Sequence, residues 1–174
     1  MAADAWSPRT ACGKPQGDRV MTVAHEKIEI ERKFDAPVSL VWRAWTEPAL
    51  RQRWQNPSST WTMVFDNYDL RPGGTEVCHC GPGEEMTVHF TAHYPEVVPE
   101  RRIVFTTITA DNENVASVAA TSVEFEPDDG RTTMRFVESI AFIDGRETVA
   151  DRTMGTKTSI DKLADVVAAE AAKR

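Results

Sequence analysis

No stretch of this chain approaches the roughly 18 consecutive apolar residues that a bilayer-crossing helix needs, so no membrane span is expected. Cysteine is scarce. Cys12, Cys78 and Cys80 are an odd number, and the last two stand two apart, so no disulfide framework is implied. Positive charge is also short: a formal net charge of −7 argues against a nucleic acid or an anionic membrane as partner. The first 22 residues lack the apolar stretch of a secretory signal. A cytoplasmic, reduced protein is the simplest expectation. There is no phosphate-binding loop, dinucleotide fingerprint, nucleophile elbow or recognisable triad spacing. No catalytic residue and no cofactor is therefore assigned.

What is present is one domain's worth of chain. At 174 residues, 41% apolar and 27% charged, it has the length and composition of a globular domain with a tail. Residues 1–22 are rich in Ala, Pro, Gly and charge without periodicity, and read as a disordered leader. Residues 23–174 read as a single domain. Lys27-Ile28-Glu29-Ile30-Glu31 alternates as a half-buried strand does. Asp35-Ala36-Pro37 breaks it, with Asp35 as an expected N-cap. Val38, Val41, Trp42 and Trp45 then share one helical face, and a second short helix runs from about Pro48 to Trp54.

Strands dominate from there. Trp61–Leu70 is closed by Arg71-Pro72-Gly73-Gly74, whose Pro-Gly centre suits a type II turn. Thr75–Cys80 follows, ended by Gly81-Pro82-Gly83. Met86, Val88, Phe90, Ala92 and Tyr94 alternate with Thr87, His89, Thr91 and His93. The strands Arg102–Thr109, Val115–Glu126 and Arg131–Phe142 complete the set, the last two joined at the hairpin signal Asp128-Asp129-Gly130. Short connections throughout imply antiparallel order. A helical pattern fills Arg146–Lys173, with Asp144-Gly145-Arg146-Glu147 resembling a capping box and Ile160, Leu163, Val166 and Val167 at helical spacing. Gly155 inside it reflects either tolerance or close approach of the sheet or a ligand. The fold class is α+β: one curved antiparallel sheet of six to seven strands, two short helices after the first strand, and a long C-terminal helix.

This order, with Phe34-Asp35-Ala36-Pro37, Val41-Trp42-Arg43-Ala44-Trp45-Thr46, Asp69-Leu70-Arg71-Pro72-Gly73-Gly74 and Pro99-Glu100-Arg101-Arg102-Ile103-Val104-Phe105, resembles the START-like (SRPBCC) superfamily, and within it the branch named for the activator of Hsp90 ATPase. The resemblance spans about Glu26–Ala169. It implies a helix-grip (START/Bet v 1-like) fold with a hydrophobic cavity between sheet and terminal helix. Members bind lipids, polyketides or plant hormones, some catalyse cyclisation and others act as co-chaperones, so the likeness implies a pocket and not a reaction. Trp54-Gln55-Asn56-Pro57 stands where many relatives carry Trp-Gly, and Gly155-Thr156 where many carry Trp after the Gly.

Candidate residues follow from strand parity. Met134, Phe136, Glu138 and Ile140 share one face, which leaves Glu138 in an apolar row unless a bulge turns it to solvent. If inward, it orients a ligand or acts as an acid–base group with a raised pKa. Asn67 shares parity with Trp61, Met63 and Phe65 and raises the same question. Trp42 and Trp45 read as core and Trp54 as a cavity wall, while Met154 and Thr158 are expected to roof the pocket. The expected ligand-contacting set is Trp54, Phe65, Asn67, Phe136, Glu138, Met154 and Thr158. No metal is expected: Cys78 and Cys80 share a strand face opposite His79, and His89 and His93 on one strand stand about 13 Å apart. The leading expectation is a binder of a small hydrophobic molecule. The alternatives are a co-chaperone-like module that contacts an Hsp90-type ATPase, and a pocket enzyme, cyclase or hydrolase. Pairing with a second copy of the chain is left open.

Overall fold

The computed structural model describes residues 22–173; all of the expected leader but its last residue falls outside them. The elements run β1 (Ala24–Phe34), α1 (Val38–Thr46), α2 (Pro48–Gln55), β2 (Trp61–Tyr68), β3 (Thr75–Pro82), β4 (Val88–Val98), β5 (Arg102–Asp111), β6 (Asn114–Asp128), β7 (Arg131–Phe142) and α3 (Val149–Ala171). The seven strands form one antiparallel sheet in the order β1-β7-β6-β5-β4-β3-β2. Each of β2 to β7 pairs with its sequence neighbour, as short hairpins dictate, and β1 closes onto β7.

Alternation fixes the faces. In β6, Ser117, Ala119, Thr121, Val123 and Phe125 are buried while Val118 and Ala120 are exposed. In β7 the even-numbered residues from Thr132 to Phe142 are buried. Register slips near Asp66, Tyr94-Pro95 and Ala116 bend the strands and curve the sheet. The slip at Pro95 falls where a missing N–H is tolerated. The Asp129-Gly130 turn has φ values of 45° and 78°, the two positive values a type I′ hairpin requires. Gly74 is needed for a different reason: a Cβ there would meet the Asp69 carbonyl oxygen at 2.0 Å.

The helices cover the buried face. Leu40, Val41, Ala44 and Trp45 of α1, Leu50 and Trp54 of α2, and Ile160, Leu163, Val166 and Val167 of α3 join Phe34, Val123, Phe125, Met134 and Phe136 in one core. Fully burying each such side chain contributes about 1.5–3 kcal/mol. Met63, Cys78, Cys80 and Val88 form a second, separate cluster with Trp61, Phe65 and Phe90.

Several local expectations are corrected. The N-cap of α1 is Pro37 with no side-chain cap, not Asp35. The cap of α3 is Thr148, whose hydroxyl accepts from Asp151 N–H while the Asp151 carboxylate accepts from Thr148 N–H. Asp144 instead accepts from the Arg146 backbone N–H in a turn that places Gly145 at φ 66°. A Cβ on Gly155 would meet no atom within 4 Å, so close approach does not explain this glycine.

Candidate functional site

The inner face of the sheet is a grid of cross-strand rows. One row runs Ile28, Glu138, Thr121, Phe105. The next runs Ile140, Ala119, Thr107, Ala92, Glu76, and the third Phe142, Ser117, Thr109, Phe90, Cys78, Phe65. Toward the middle of the sheet these rows are incompletely covered: Phe105, Thr107, Thr109 and Phe90 are only half-buried, as is Phe65 on the edge strand β2.

The reason lies in α3. Its buried residues, Ile160, Leu163, Val166, Val167 and Glu170, all fall in its second half, and none from Val149 to Ser159 is buried. The second half is tied down in several ways. Glu170 accepts from Arg43 of α1 and Arg53 of α2 at 3.0 Å each, Lys162 Nζ donates to the Asn56 and Pro57 carbonyls at 3.0 Å, and Asp161 accepts from Arg32 of β1 at 2.5 Å. The first half is tied down by Val149, packed partly buried against the core, and by Arg152, which reaches the sheet. Its Nη2 donates to Ser117 Oγ at 2.5 Å, its Nη1 lies 3.8 Å from Glu138 Oε1, and its Nε lies 3.2 Å from Glu147 Oε1. The half-covered strip of sheet beside the first half of α3, here the groove, carries a polar cluster at its β6–β7 end.

Glu138 is 5% exposed and faces inward with no break in register. Burial raises its pKa above the ordinary carboxylate value, opposed by the Arg152 charge. Glu147 is raised for the same reason against the same opposition. Glu138 Oε2 and the Oγ1 of Thr121, its direct cross-strand partner, are buried without a hydrogen-bond partner. Each such orphan costs about 1–3 kcal/mol, which makes this corner of the sheet incomplete without a guest molecule or water.

Of the other expected residues, Phe136 packs in the core one position along from Glu138 on the same face, and Phe65 lies half-buried at the far end of the third row. Trp54 is packed away from the groove: its Nε1 donates to the Ala44 carbonyl at 2.9 Å, and its ring centroid lies 4.7 Å from that of Trp45. Asn67 is turned outward by the slip at Asp66 and donates to the Thr75 carbonyl and hydroxyl. Met154 is 49% exposed and Thr158 donates back to its carbonyl; both line a shallow depression of about 460 Å³ on the outer side of α3. A second depression, of about 590 Å³, lies on the sheet's outer face around Lys27, Thr106, Val118, Ala120 and Ser139. Neither is lined by Phe105, Thr107, Thr109, Thr121 or Glu138, and neither is the enclosed greasy cavity expected between sheet and helix.

Sequence reasoning missed Arg152, Thr121 and Ser117. Thr121 was legible as an inward position of β6, and Arg152 as the residue four and seven steps back from Thr156 and Ser159 on the stripe that leads to Leu163.

A second polar cluster is buried under α2. Arg51 Nη2 lies 3.3 Å from Glu76 Oε2, which also accepts from Tyr94 OH at 2.5 Å, and Arg51 Nε donates to Gln55 at 2.6 Å. The rings of Trp45, Trp54 and Tyr68 each stand 5.8 Å from the guanidinium. Burial is the largest single effect and opposes the Arg51 charge, but the Glu76 carboxylate together with Tyr94 and Tyr68 outweighs it and holds the pKa above its ordinary value. Cys78 and Cys80 beside it are free thiols; burial raises both, Cys80 to about 12. Among the described residues no group of three or more His, Cys, Asp or Glu side chains is placed to hold a metal ion, and no helix is long and apolar enough to cross a membrane.

A curved antiparallel sheet gripping a C-terminal helix, with two short helices after the first strand, defines the helix-grip class of the START-like superfamily. The model of the family described as Activator of Hsp90 ATPase homolog 1-like protein matches residues 35–168, and the chain belongs to that family. Among solved structures, it is similar to an uncharacterized protein from Rhizobium leguminosarum (31% identity over 84% of this chain and 96% of that one, TM-score 0.76). It is also similar to a protein from Rhizobium loti (29% identity, 84% and 99% covered, TM-score 0.75). A protein from Chromobacterium violaceum shares the fold at 22% identity (81% and 96% covered, TM-score 0.71). No curated protein matches the chain.

Proposed function

We propose that this domain binds a small, mostly apolar molecule in the groove between the first half of α3 and the centre of the sheet. The observation that carries the reading is that no residue of Val149–Ser159 is fully buried although Arg152 holds the segment over a sheet face whose Phe90, Phe105, Thr107 and Thr109 are half-covered. Apolar surface left this way favours a guest by about 25 cal/mol per Å² covered. The test is a thermal-shift and native-mass-spectrometry screen of apolar ligands against the wild type and Thr107→Trp, which fills the groove floor with an indole. Hits on the wild type that vanish in Thr107→Trp support the reading; hits that bind both equally overturn it.

The family description supplies a second reading, contact with an Hsp90-type ATPase. The feature that suits it is the exposed apolar trio Ile108, Val115 and Val118 on the outer face, with Ile108 and Val118 paired across β5 and β6. Stimulation of the chaperone's ATPase by the wild type but not by Ile108→Asp/Val118→Asp would support it; no stimulation by the wild type rejects it.

A further inference from the structure

We infer that the guest presents a hydrogen-bond-donating head, a hydroxyl or an ammonium, to Glu138 Oε2 and Thr121 Oγ1, and that carboxylate, phosphate and sulfate heads are disfavoured. This rests on the groove reading above and goes beyond it by naming the chemistry of one end of the ligand. Glu138 and Thr121 are 5% and 2% exposed, face each other across β6 and β7, and each carries a buried oxygen with no partner. At this end Arg152 directs Nη2 to Ser117 and Nη1 toward Glu138 Oε1, while its Nε, 3.2 Å from Glu147 Oε1, is a buried donor without a hydrogen bond. Two carboxylates, Glu138 and Glu147, stand against that single guanidinium, so the cluster carries one uncompensated negative charge when both are ionised. At ionised Glu138 Oε2 the unused capacity is acceptor capacity, Thr121 Oγ1 can accept or donate, and the charge balance of the cluster is negative. A donor head completes it, whereas an anionic head adds like charge and leaves Glu138 Oε2 without a donor. The apolar body then lies along Phe105, Thr107 and Thr109, away from the two carboxylates.

The experiment is a matched head series on one eight-carbon tail: octan-1-ol, octylamine, 1-methoxyoctane and octanoic acid. Each is titrated into the whole chain at pH 8 with calorimetry and amide chemical shifts as readouts. The alcohol and the amine are expected to bind about ten- to a hundredfold more tightly than the ether and the acid, the range for a hydrogen bond to a charged group. Thr121→Val and Glu138→Gln are expected to narrow that gap, with Glu138→Gln acting most on the amine. If all four probes shift the Phe105, Thr107 and Thr109 amides with affinities within threefold of one another, or the acid binds best, the head inference is overturned while the groove reading stands. If no probe shifts those amides, the groove reading fails and takes the inference with it. The wild-type series alone decides, so loss of a variant to misfolding does not blunt the test.

Discussion

Replacing Glu76 with Leu isolates the Arg51 charge inside the core. In the wild type both side chains of the pair are almost fully buried, at 4% and 3% exposed, and Glu76 Oε2 is shared by Arg51 and Tyr94 OH. Leucine keeps most of the volume but leaves the guanidinium with Gln55 and three aromatic rings, none of them a counter-charge. Breaking a buried pair by removing one partner costs about 3–5 kcal/mol. At about 2–4 °C per kcal/mol for a domain of this size, the melting temperature should fall by roughly 6–20 °C. Removing both charges and the orphaned hydroxyl, in Arg51→Met/Glu76→Leu/Tyr94→Phe, should recover most of that loss, because a well-packed apolar substitute for a buried pair is close to neutral. The assay is chemical denaturation of the wild type, the singles Arg51→Met and Glu76→Leu, the double and the triple. A coupling energy between Arg51 and Glu76 of about 2 kcal/mol or more is expected. A Glu76→Leu midpoint indistinguishable from wild type, with coupling near zero, would show that the Arg51 charge is stabilised by something other than Glu76.

Other expectations follow from single sites. Because burial raises the Glu138 pKa in the folded state, the stability it contributes in its protonated form is fully present below the unfolded value of 4.5 and is lost as pH rises through the folded value. The stability gap between wild type and Glu138→Gln should therefore move in favour of the wild type on acidification, as read by urea midpoints at several pH values; a flat gap refutes the shift. Gly74→Ala must displace the Asp69 carbonyl and should cost about 1–3 kcal/mol by thermal denaturation, whereas Gly155→Ala enters open space on a helix and should stabilise by about 0.5–1 kcal/mol. Cys78 and Cys80 should resist a thiol reagent at pH 8 until denaturant is added, since burial disfavours both thiolates; prompt labelling of either in the native protein would contradict their burial. Hydrogen exchange at Leu163–Val167 should be much slower than at Arg152–Thr156, and equal protection would mean the first half of α3 is packed after all.

Much of the fold was readable because strand parity and turn chemistry are local. The alternation at Lys27–Glu31 and the Asp128-Asp129-Gly130 turn appear where the residues place them, and the alternation expected from Met86 to Tyr94 appears from Val88 onward. Glu138 was readable for the same reason, since nothing in β7 interrupts its period of two. Asn67 failed because one extra residue at Asp66, invisible to a parity count, sends every later side chain of β2 to the opposite face. Met154 and Thr158 failed through helix phase. Met154 precedes Ile160 by six residues, which at about 100° per residue sets it roughly 120° round the helix, on the solvent side. Trp54 was misplaced because an aromatic at a helix end looks the same from sequence whether it walls a void or, as here, stacks on Trp45 beside a buried guanidinium.

The uneven attachment of α3 ties these observations together. Apolar packing by Leu163, Val166 and Val167 is reinforced by the Glu170, Lys162 and Asp161 contacts, so the second half of the helix is held to α1, α2 and β1 from several directions. The first half is held by directional contacts of Arg152 and, at its first turn, by Val149 packed partly buried against the core. A long arginine spans a gap that a leucine would have to close, and so it keeps helix and sheet apart at the same place where it links them. The two orphaned oxygens sit beside that strut on directly paired positions of β6 and β7, while Phe105, Thr107 and Thr109 toward β5 are only half-covered. The family fold provides the grip, and the choice of Arg, Glu and Thr at these positions decides what can be gripped.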